Sequence, residues 1–365
     1  MNIAVIILLL LHGLIHLLGF VKAFSLADVK ELTLSISKPI GLIWLTGFLL
    51  FAITAWLYAV NSSYWWIAGW VAILISQSLI IYAWQDARFG TIANVILLLV
   101  TIIGFGTWRF NNYYEKEVQA NLQQEHLIEY DLLTETDIQD LPVVVQKYIR
   151  YAGAVGKPKV HNFRIAFTGK LRANEQSTWM PFTSEQYNFM ETPTRLFFMK
   201  AVMKKLPVAG YHCYKNRTAY MDIRLFSLFK VQYQAGKEMD ISETVTFFND
   251  MCCLAPATLI DKRITWLETE GNKVKAAFTN NRITVSAWLY FNDKGEMVNF
   301  ISNDRYAADT MKQYPWSTPL KDYTDINGHR LVGNAETIYT YPTGDFCYGT
   351  FHLTQVDYNI KTYRR

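Results

Sequence analysis

Two hydrophobic patterns divide the chain near residue 110. Before that point apolar residues form continuous runs, and after it they mostly alternate with polar residues. Four runs of about 18–21 residues contain no charged residue, namely 3–21, 40–60, 64–84 and 91–108. A helix of about 20 residues crosses the ~30 Å hydrocarbon core of a bilayer. We therefore predict four transmembrane helices within a membrane domain of residues 1–110.

The charged residues beside these runs predict the orientation of the helices. Four positive charges lie in the first and third loops and two on the opposite side: Lys22, Lys30, Lys38 and Arg88 against Arg109 and Lys116. Excess Lys and Arg mark the cytoplasmic loops of membrane proteins. We therefore expect both termini and the large domain outside the cytoplasm. Alternatively, the first run is a cleaved signal peptide, although no Lys or Arg precedes it.

Residues 111–158 predict a helical stalk or linker. Its first part, 111–129, is polar and charged with scattered apolar residues. Thr134 and Asp137 have the spacing of a helix capping signal. Pro142 suits the first turn of a following helix, and Gly153 suits its end.

From residue 159 to 365 the apolar residues recur with a period of two, which is typical of strands with one buried face. Ten predicted strands cover 161–168, 177–190, 194–203, 217–225, 228–234, 273–279, 283–291, 296–303, 328–340 and 346–360. An apolar segment near 247–261 predicts a helix inserted between strands. The predicted fold is thus a four-span α-helical membrane bundle plus an antiparallel β-rich (α+β) half-barrel that closes on this helix.

Charge and cysteine content narrow the classes of partner. Residues 1–110 contain five positive and three negative side chains, and the remaining 30 and 28 are spread over 111–365. The Lys and Arg residues do not cluster into a basic block or stripe that could follow a phosphate backbone, so we expect no nucleic acid partner. Cys213 and Cys347 are the simple candidates for a disulfide, because Cys252 and Cys253 are adjacent. Buried free thiols are the alternative.

His12 and His16 are the ionisable groups inside the predicted membrane helices. Their spacing of four residues places them on one helix face, where they could hold a metal ion, contact a quinone or relay protons. Alternatively, they are structural groups that hydrogen-bond to neighbours such as Ser76 or Gln77. No other predicted span contains a histidine that could complete a haem site, and we expect no cofactor.

Polar residues near apolar segments form the main candidate binding site. Asn249, Asp250, Asp304 and Arg305 could form a carboxylate–guanidinium cluster at the mouth of a cavity. Alternatively, Asn249 or Asp250 caps a helix and Arg305 forms a surface ion pair. Apart from this cluster, motifs of hydrolases, phosphate-binding loops and zinc proteases are missing from the sequence.

Met and aromatic side chains are abundant between residues 179 and 251. Adaptable side chains of this kind suit a cavity for flexible hydrophobic ligands, and they also suit an ordinary core. The predicted ligand-binding candidates in this group are Met190, Phe197, Met199 and Phe247.

Four segments resemble an uncharacterised bacterial four-helix membrane protein family: residues 12–20, 89–94, 243–252 and 299–305. The resemblance covers nearly the whole chain and implies a bacterial origin and this architecture. The family has no assigned activity, so the resemblance implies none for this chain. In strand number and inserted helix, the C-terminal part also resembles the lipoprotein-carrier type of half β-barrel, which shelters acyl chains.

These observations favour a membrane-tethered, extracytoplasmic domain that binds a lipid or another hydrophobic molecule. The expected partners are membrane lipid and a hydrophobic ligand. Two alternatives remain: a metal-dependent or acid–base membrane enzyme, and a scaffold that presents the domain to a partner protein. The sequence assigns no reaction.

Overall fold

The computed structural model describes residues 3–124 and 131–364 and divides into two compact units, Met1–Asn112 and Tyr113–Arg365. The first unit contains α1 (Ile3–Ala23), α2 (Lys38–Ala59), α3 (Trp65–Tyr82), the short α4 (Trp84–Ala87) and the beginning of α5 (Gly90–Gln124). Helices α1, α2, α3 and α5 are long and apolar enough to cross a membrane. These four helices correspond to the four predicted runs.

Small residues and loop contacts organise the first unit. A Cβ atom at Gly47 would lie 3.0 Å from the His16 ring, so this glycine lets α1 and α2 approach closely. The backbone N–H and the hydroxyl of Thr33 donate to the Asp86 carboxylate at 2.7 and 2.9 Å. These bonds join the α1–α2 loop to α4, so the first and third loops lie at the same end of the bundle.

The helices that follow belong to the second unit. Helix α6 (Glu135–Ile138) begins with the predicted capping box between Thr134 and Asp137, and α7 (Val143–Tyr151) follows Pro142. The segment 111–158 was predicted to be a helical stalk or linker, but its helix α7 packs into the second unit. Tyr148 and Ile149 are fully buried in the core of the second unit because α7 is amphipathic. Residues 125–130 of the predicted stalk lie outside the described residues.

The second unit is built on a large antiparallel sheet. The strands of the second unit are β1 (Asn162–Leu171), β2 (Met180–Phe189), β3 (Thr194–Met203), β4 (Leu206–Lys215), β5 (Thr218–Leu225), β6 (Phe229–Ala235), β7 (Ile264–Glu270), β8 (Lys273–Asn280), β9 (Ile283–Phe291), β10 (Met297–Ser302), β11 (Tyr306–Ala307), β12 (Lys312–Gln313), β13 (Trp316–Ser317), β14 (Leu320–Ile326), β15 (His329–Tyr341) and β16 (Gly344–Tyr358). The order from edge to edge is β6-β5-β4-β3-β2-β1-β16-β15-β13-β10-β9-β8-β7. Strand β14 pairs with β15, and β11 pairs with β12 in a separate two-stranded sheet.

This curled sheet confirms the predicted half-barrel, and each predicted strand overlaps an observed one. The prediction missed β4, β7 and β14 among the longer strands. Strand β4 lies inside the sheet and is buried at consecutive positions from Val208 to Tyr211, so its sequence has no period of two.

Helix α8 (Lys237–Leu254) and a 3-10 helix (Pro256–Ile260) connect the two edge strands β6 and β7. The helix was expected near 247–261, but it begins ten residues earlier, at Lys237. Its first turn is polar and therefore does not extend the apolar run that indicated a helix. It ends before Pro256, because a residue that precedes proline is disfavoured in the helical conformation.

The centre of α8 contributes to the main core of the second unit. Phe247 and Phe248 are fully buried. The Phe248 ring stacks on Phe278 with centroids 5.5 Å apart and meets Phe300 edge-on at 5.6 Å. Such pairs add to the free energy that comes from burial of the rings. The packing holds α8 against the strands that follow it.

All four cysteines, which lie among the described residues, are free thiols. The candidate bridge between Cys213 and Cys347 is wrong. Cys213 lies on β4 and Cys347 on β16, and three strands separate them. At about 4.8 Å per strand the separation along the sheet is roughly 19 Å, whereas the Cα atoms of a disulfide lie within about 7 Å.

Candidate functional site

A cavity of about 990 Å³ lies in the second unit between α8 and the sheet. Much of its wall is apolar and includes Phe167, Met180, Phe197, Met199, Val208, Met221, Ile223, Leu320, Phe351 and Leu353. Four neighbouring strands, β2 to β5, supply six of these ten residues, because side chains on one face of adjacent strands lie side by side. These strands therefore contribute a largely apolar part of the wall.

One face of α8 adds polar groups to this cavity. Glu243, Thr246 and Asp250 line it at intervals of three and four residues, which places them along one side of the helix, and Asn249 lies next to Asp250. Glu243 and Asp250 are almost fully buried. Two carboxylates in such a position require partners, because an unpaired buried charge is costly.

Arg195 on β3 is the partner of both carboxylates. Its Nη1 lies 2.9 Å from Glu243 and its Nε 2.8 Å from Asp250. The side-chain amides of Gln186 and Asn188 also donate to Asp250, at 2.7 and 3.3 Å. The cluster thus joins α8 to β2 and β3 through charge-assisted hydrogen bonds.

The two carboxylates differ in their protonation equilibria. Burial opposes ionisation of Glu243, but Arg195 and His212 outweigh it and lower the pKa of Glu243 to about 2. Burial raises the pKa of Asp250 above its usual value, despite the hydrogen bonds from Arg195, Asn188 and Gln186. The same guanidinium therefore holds one fully ionised carboxylate and one that binds a proton more readily.

His212 on β4 completes this polar region. Its Nδ1 lies 3.9 Å from the Glu243 carboxylate, and its ring meets Phe197 edge-on with centroids 5.5 Å apart. Across residues 3–124 and 131–364, no group of three or more His, Cys, Asp or Glu side chains could hold a metal ion.

Arg305 lies in the cavity wall beside α8. Its Nε donates to the Thr246 hydroxyl at 3.3 Å, and its Nη1 donates to the Tyr339 hydroxyl. The guanidinium lies over the Trp316 ring, 4.7 Å from the centroid. This stacking is a cation–π contact of an arginine that lines the cavity.

The predicted cluster of Asp250, Asp304 and Arg305 is not formed, which corrects the expectation from the sequence. Asp304 accepts hydrogen bonds from the backbone N–H and the hydroxyl of Ser286, at 2.6 and 3.2 Å. Arg305 lines the cavity, whereas Asp304 is not among the residues of its wall. Asp250 pairs with Arg195 instead.

The other sequence candidates divide between wall and core. Phe197, Met199 and Asn249 line the cavity, together with Asp250 and Arg305. Met190 and Phe247 are buried in the main core and are not among the residues of the wall.

Sequence reasoning missed Arg195, Gln186 and Glu243 as site residues. A signal for Arg195 was available, because it is a charged residue directly before the apolar run Leu196-Phe-Phe-Met. Its neighbours on the chain are buried, so its own charge also had to be buried beside a partner.

His12 and His16 in the first unit belong to a separate hydrogen-bond network. His12 Nε2 lies 2.9 Å from the Asn94 side-chain oxygen and 3.2 Å from the Ser76 hydroxyl. Nδ1 of His16 bonds to the backbone oxygen of His12 at 2.9 Å. The Asn94 amide continues the network to Gln77 at 3.0 Å. These bonds connect α1 with α3 and α5, as in the structural interpretation of the two histidines.

Solved structures with similar folds were found at low similarity. A LolA superfamily protein from Nitrosomonas europaea is 9% identical, with a TM-score of 0.34, and the match covers 60% of this chain and 95% of that one. A DUF1329 family protein from Desulfovibrio piger is also 9% identical, with a TM-score of 0.35 and coverage of 60% and 93%. A similar fold does not by itself imply a shared function.

Sequence comparison identifies the family. No curated protein matches the chain. Residues 131–351, more than half of the chain, match the model of a family described as "Family of unknown function (DUF6544)". The match begins before α6 and ends within β16, so it includes α8 and every residue named above as lining the cavity except Leu353. The chain therefore belongs to the DUF6544 family.

Proposed function

We propose that the second unit binds a lipid or another hydrophobic molecule in the cavity between α8 and the sheet. The cavity itself is the observation that carries the proposal. Its volume of about 990 Å³ lies at the upper end of the ~300–1,000 Å³ range of small-molecule sites. Methionine and aromatic side chains in the wall adapt to flexible apolar ligands.

We further propose that this unit lies outside the cytoplasm of a bacterial cell. The four apolar helices tether it to the cytoplasmic membrane and keep it at high effective concentration near lipid. The contact between Thr33 and Asp86 supports this topology, because it joins the two loops that carry Lys22, Lys30, Lys38 and Arg88.

The test compares two Val→Trp substitutions in the full chain, purified in nanodiscs of neutral lipid. Val208 lines the cavity, so Val208→Trp places a bulky indole in the space for the ligand. Val143→Trp adds the same side chain at a position that is 76% exposed. Native mass spectrometry measures the ligand that stays bound. We expect Val208→Trp to lose about tenfold or more in occupancy, equivalent to ~1.4 kcal/mol, and Val143→Trp to retain it. An empty parent protein, or equal occupancy in both variants, contradicts the proposal.

Acid–base catalysis on a bound molecule is a second candidate function. One observation favours it: Asp250 lines the cavity, and burial raises its pKa, which is the direction of shift that a carboxylic acid needs to act as a general acid. Incubation with the co-purifying molecule distinguishes the two functions. A binding protein returns the molecule unchanged. An enzyme changes its mass, and Asp250→Asn abolishes the change.

A further inference from the structure

We infer that Arg305 recognises the head group of the ligand, and that the ligand is an amphiphile whose head presents anionic oxygens, as a carboxylate or a phosphate does. This inference rests on the proposed binding cavity. It adds the chemical class of the ligand and the residue that selects it.

The charge of Arg305 is not balanced by a direct partner. Arg305 is partly buried, arginine remains a cation in proteins, and charges withdrawn from water are normally paired. Arg195 in the same cavity has two carboxylate partners. Arg305 forms no ion pair with any carboxylate of residues 3–124 and 131–364, and its bonded partners are the hydroxyls of Thr246 and Tyr339. Glu243 attracts it only from beyond ion-pair distance, and that carboxylate is held by Arg195.

The position of the guanidinium is fixed by its surroundings. The Tyr339 hydroxyl donates to the Tyr306 carbonyl at 2.8 Å, so its oxygen is oriented to accept from Arg305. The indole N–H of Trp316 donates to Tyr348 at 3.0 Å, and this bond holds the ring on which Arg305 stacks. A group held in this way loses little conformational entropy when a ligand binds.

Free hydrogen-bond donors remain on the same side chain. A guanidinium has five N–H groups, and two of those of Arg305 contact Thr246 and Tyr339. The remaining donors belong to a side chain that lines the cavity. Paired N–H groups match the oxygens of a carboxylate or phosphate in a bidentate arrangement.

Arg172 is an alternative cation in this cavity, as is the exposed Lys204. Arg172 donates to the Cys347 carbonyl at 2.8 Å and to the carbonyl of Glu175, a solvent-exposed residue, at 3.4 Å. It also lies over the rings of Trp179 and Phe346. Because it borders an exposed loop, water competes for its donors, and it makes a matched control for Arg305.

The experiment measures head-group preference in the full chain in phosphatidylcholine nanodiscs. A photoreactive diazirine analogue of hexadecanoate is crosslinked, and peptide mapping counts only crosslinks to the residues of the cavity wall. Unlabelled hexadecanoate, hexadecyl phosphate, hexadecan-1-ol, hexadecylamine and inorganic phosphate compete. We expect the two anionic amphiphiles to compete about 10- to 100-fold better than the alcohol, the factor typical of a hydrogen bond to a charged group.

Substitutions assign this preference to one residue. Arg305→Gln should abolish it and leave competition by the alcohol unchanged, whereas Arg172→Gln should retain it. Arg305→Lys preserves the charge without the paired donors and should retain part of the preference. This variant also serves as the test if Arg305→Gln does not fold. A preference that survives Arg305→Gln or is lost in Arg172→Gln, or stronger competition by the amine, overturns the inference.

Two outcomes distinguish failure of this inference from failure of the proposed binding function. Saturable crosslinking without any head-group preference refutes the role of Arg305 but leaves the hydrophobic cavity in place. Absence of saturable crosslinking by any amphiphile refutes the proposed function itself. Inorganic phosphate should not compete at the concentration at which hexadecyl phosphate does. Equal competition by inorganic phosphate would show a site for free anions and would overturn the amphiphile class.

Discussion

At the scale of single residues, Arg195 is the shared ion-pair partner of two buried carboxylates, Glu243 and Asp250. Arg195→Met removes the guanidinium that Glu243 and Asp250 share, and we expect a loss of about 3–5 kcal/mol of stability. Hydrogen exchange of the α8 amides measures this loss locally. The triple variant with Glu243→Gln and Asp250→Asn should regain most of it. Unchanged protection in Arg195→Met would contradict this role.

The same residues predict a pH dependence of stability with opposite signs for the two acids. The pKa of Glu243 falls from its usual 4.5 to about 2 in the folded protein. Its contribution, up to about 3 kcal/mol, is therefore complete above pH ~4.5 and is lost as the pH falls toward 2. The pKa of Asp250 is raised. Because the folded protein binds this proton more tightly, stability attributed to Asp250 grows as the pH falls.

Unfolding free energies at several pH values test these opposite pH dependences of Glu243 and Asp250. The difference between the parent protein and Glu243→Gln should shrink from pH 5 toward pH 2. The difference between the parent and Asp250→Asn should increase over the same interval. Parallel curves for the two variants would show that Arg195 does not distinguish the carboxylates.

At the scale of elements, α8 depends on the turn by which it enters the half-barrel. Gly236, directly before α8, has φ +109° and ψ −176°, a conformation that is essentially restricted to glycine. We expect Gly236→Ala to lower protection of the α8 amides by about 1–3 kcal/mol. Gly271→Asn is the matched control, since its φ of +55° lies in the left-handed region that asparagine tolerates. An equal loss in both variants would contradict this explanation.

At the scale of the whole molecule, the proposed topology places the large unit outside the cytoplasm. An alkaline phosphatase fused after Arg365 should be active, and a fluorescent protein that matures only in the cytoplasm should be dark there. The physical reason is the excess of Lys and Arg in the first and third loops. Replacing Lys22, Lys30 and Lys38 by Gln should weaken this orientation. A bright fluorescent fusion in the parent protein would reverse the topology.

Local properties of the chain were sufficient to predict much of this architecture. Helices that can cross a membrane follow from uninterrupted apolar runs, and most strands follow from a period of two. The prediction failed where burial removed the period, as in β4, and where polar residues open an interior helix, as in α8. In both cases neighbours distant along the chain decided which faces are buried.

The sequence by itself thus determined the apolar helices, the curled sheet and the Met-rich and aromatic character of its interior. Only the tertiary structure decided the site. Arg195 and Asp250 are 55 residues apart, and Arg305 and Tyr339 are 34 apart. The direction of Asp304 depends on its bond to Ser286. Hydrophobic periodicity is a local property, whereas the pairing of buried charges depends on which strands and helices the fold brings together.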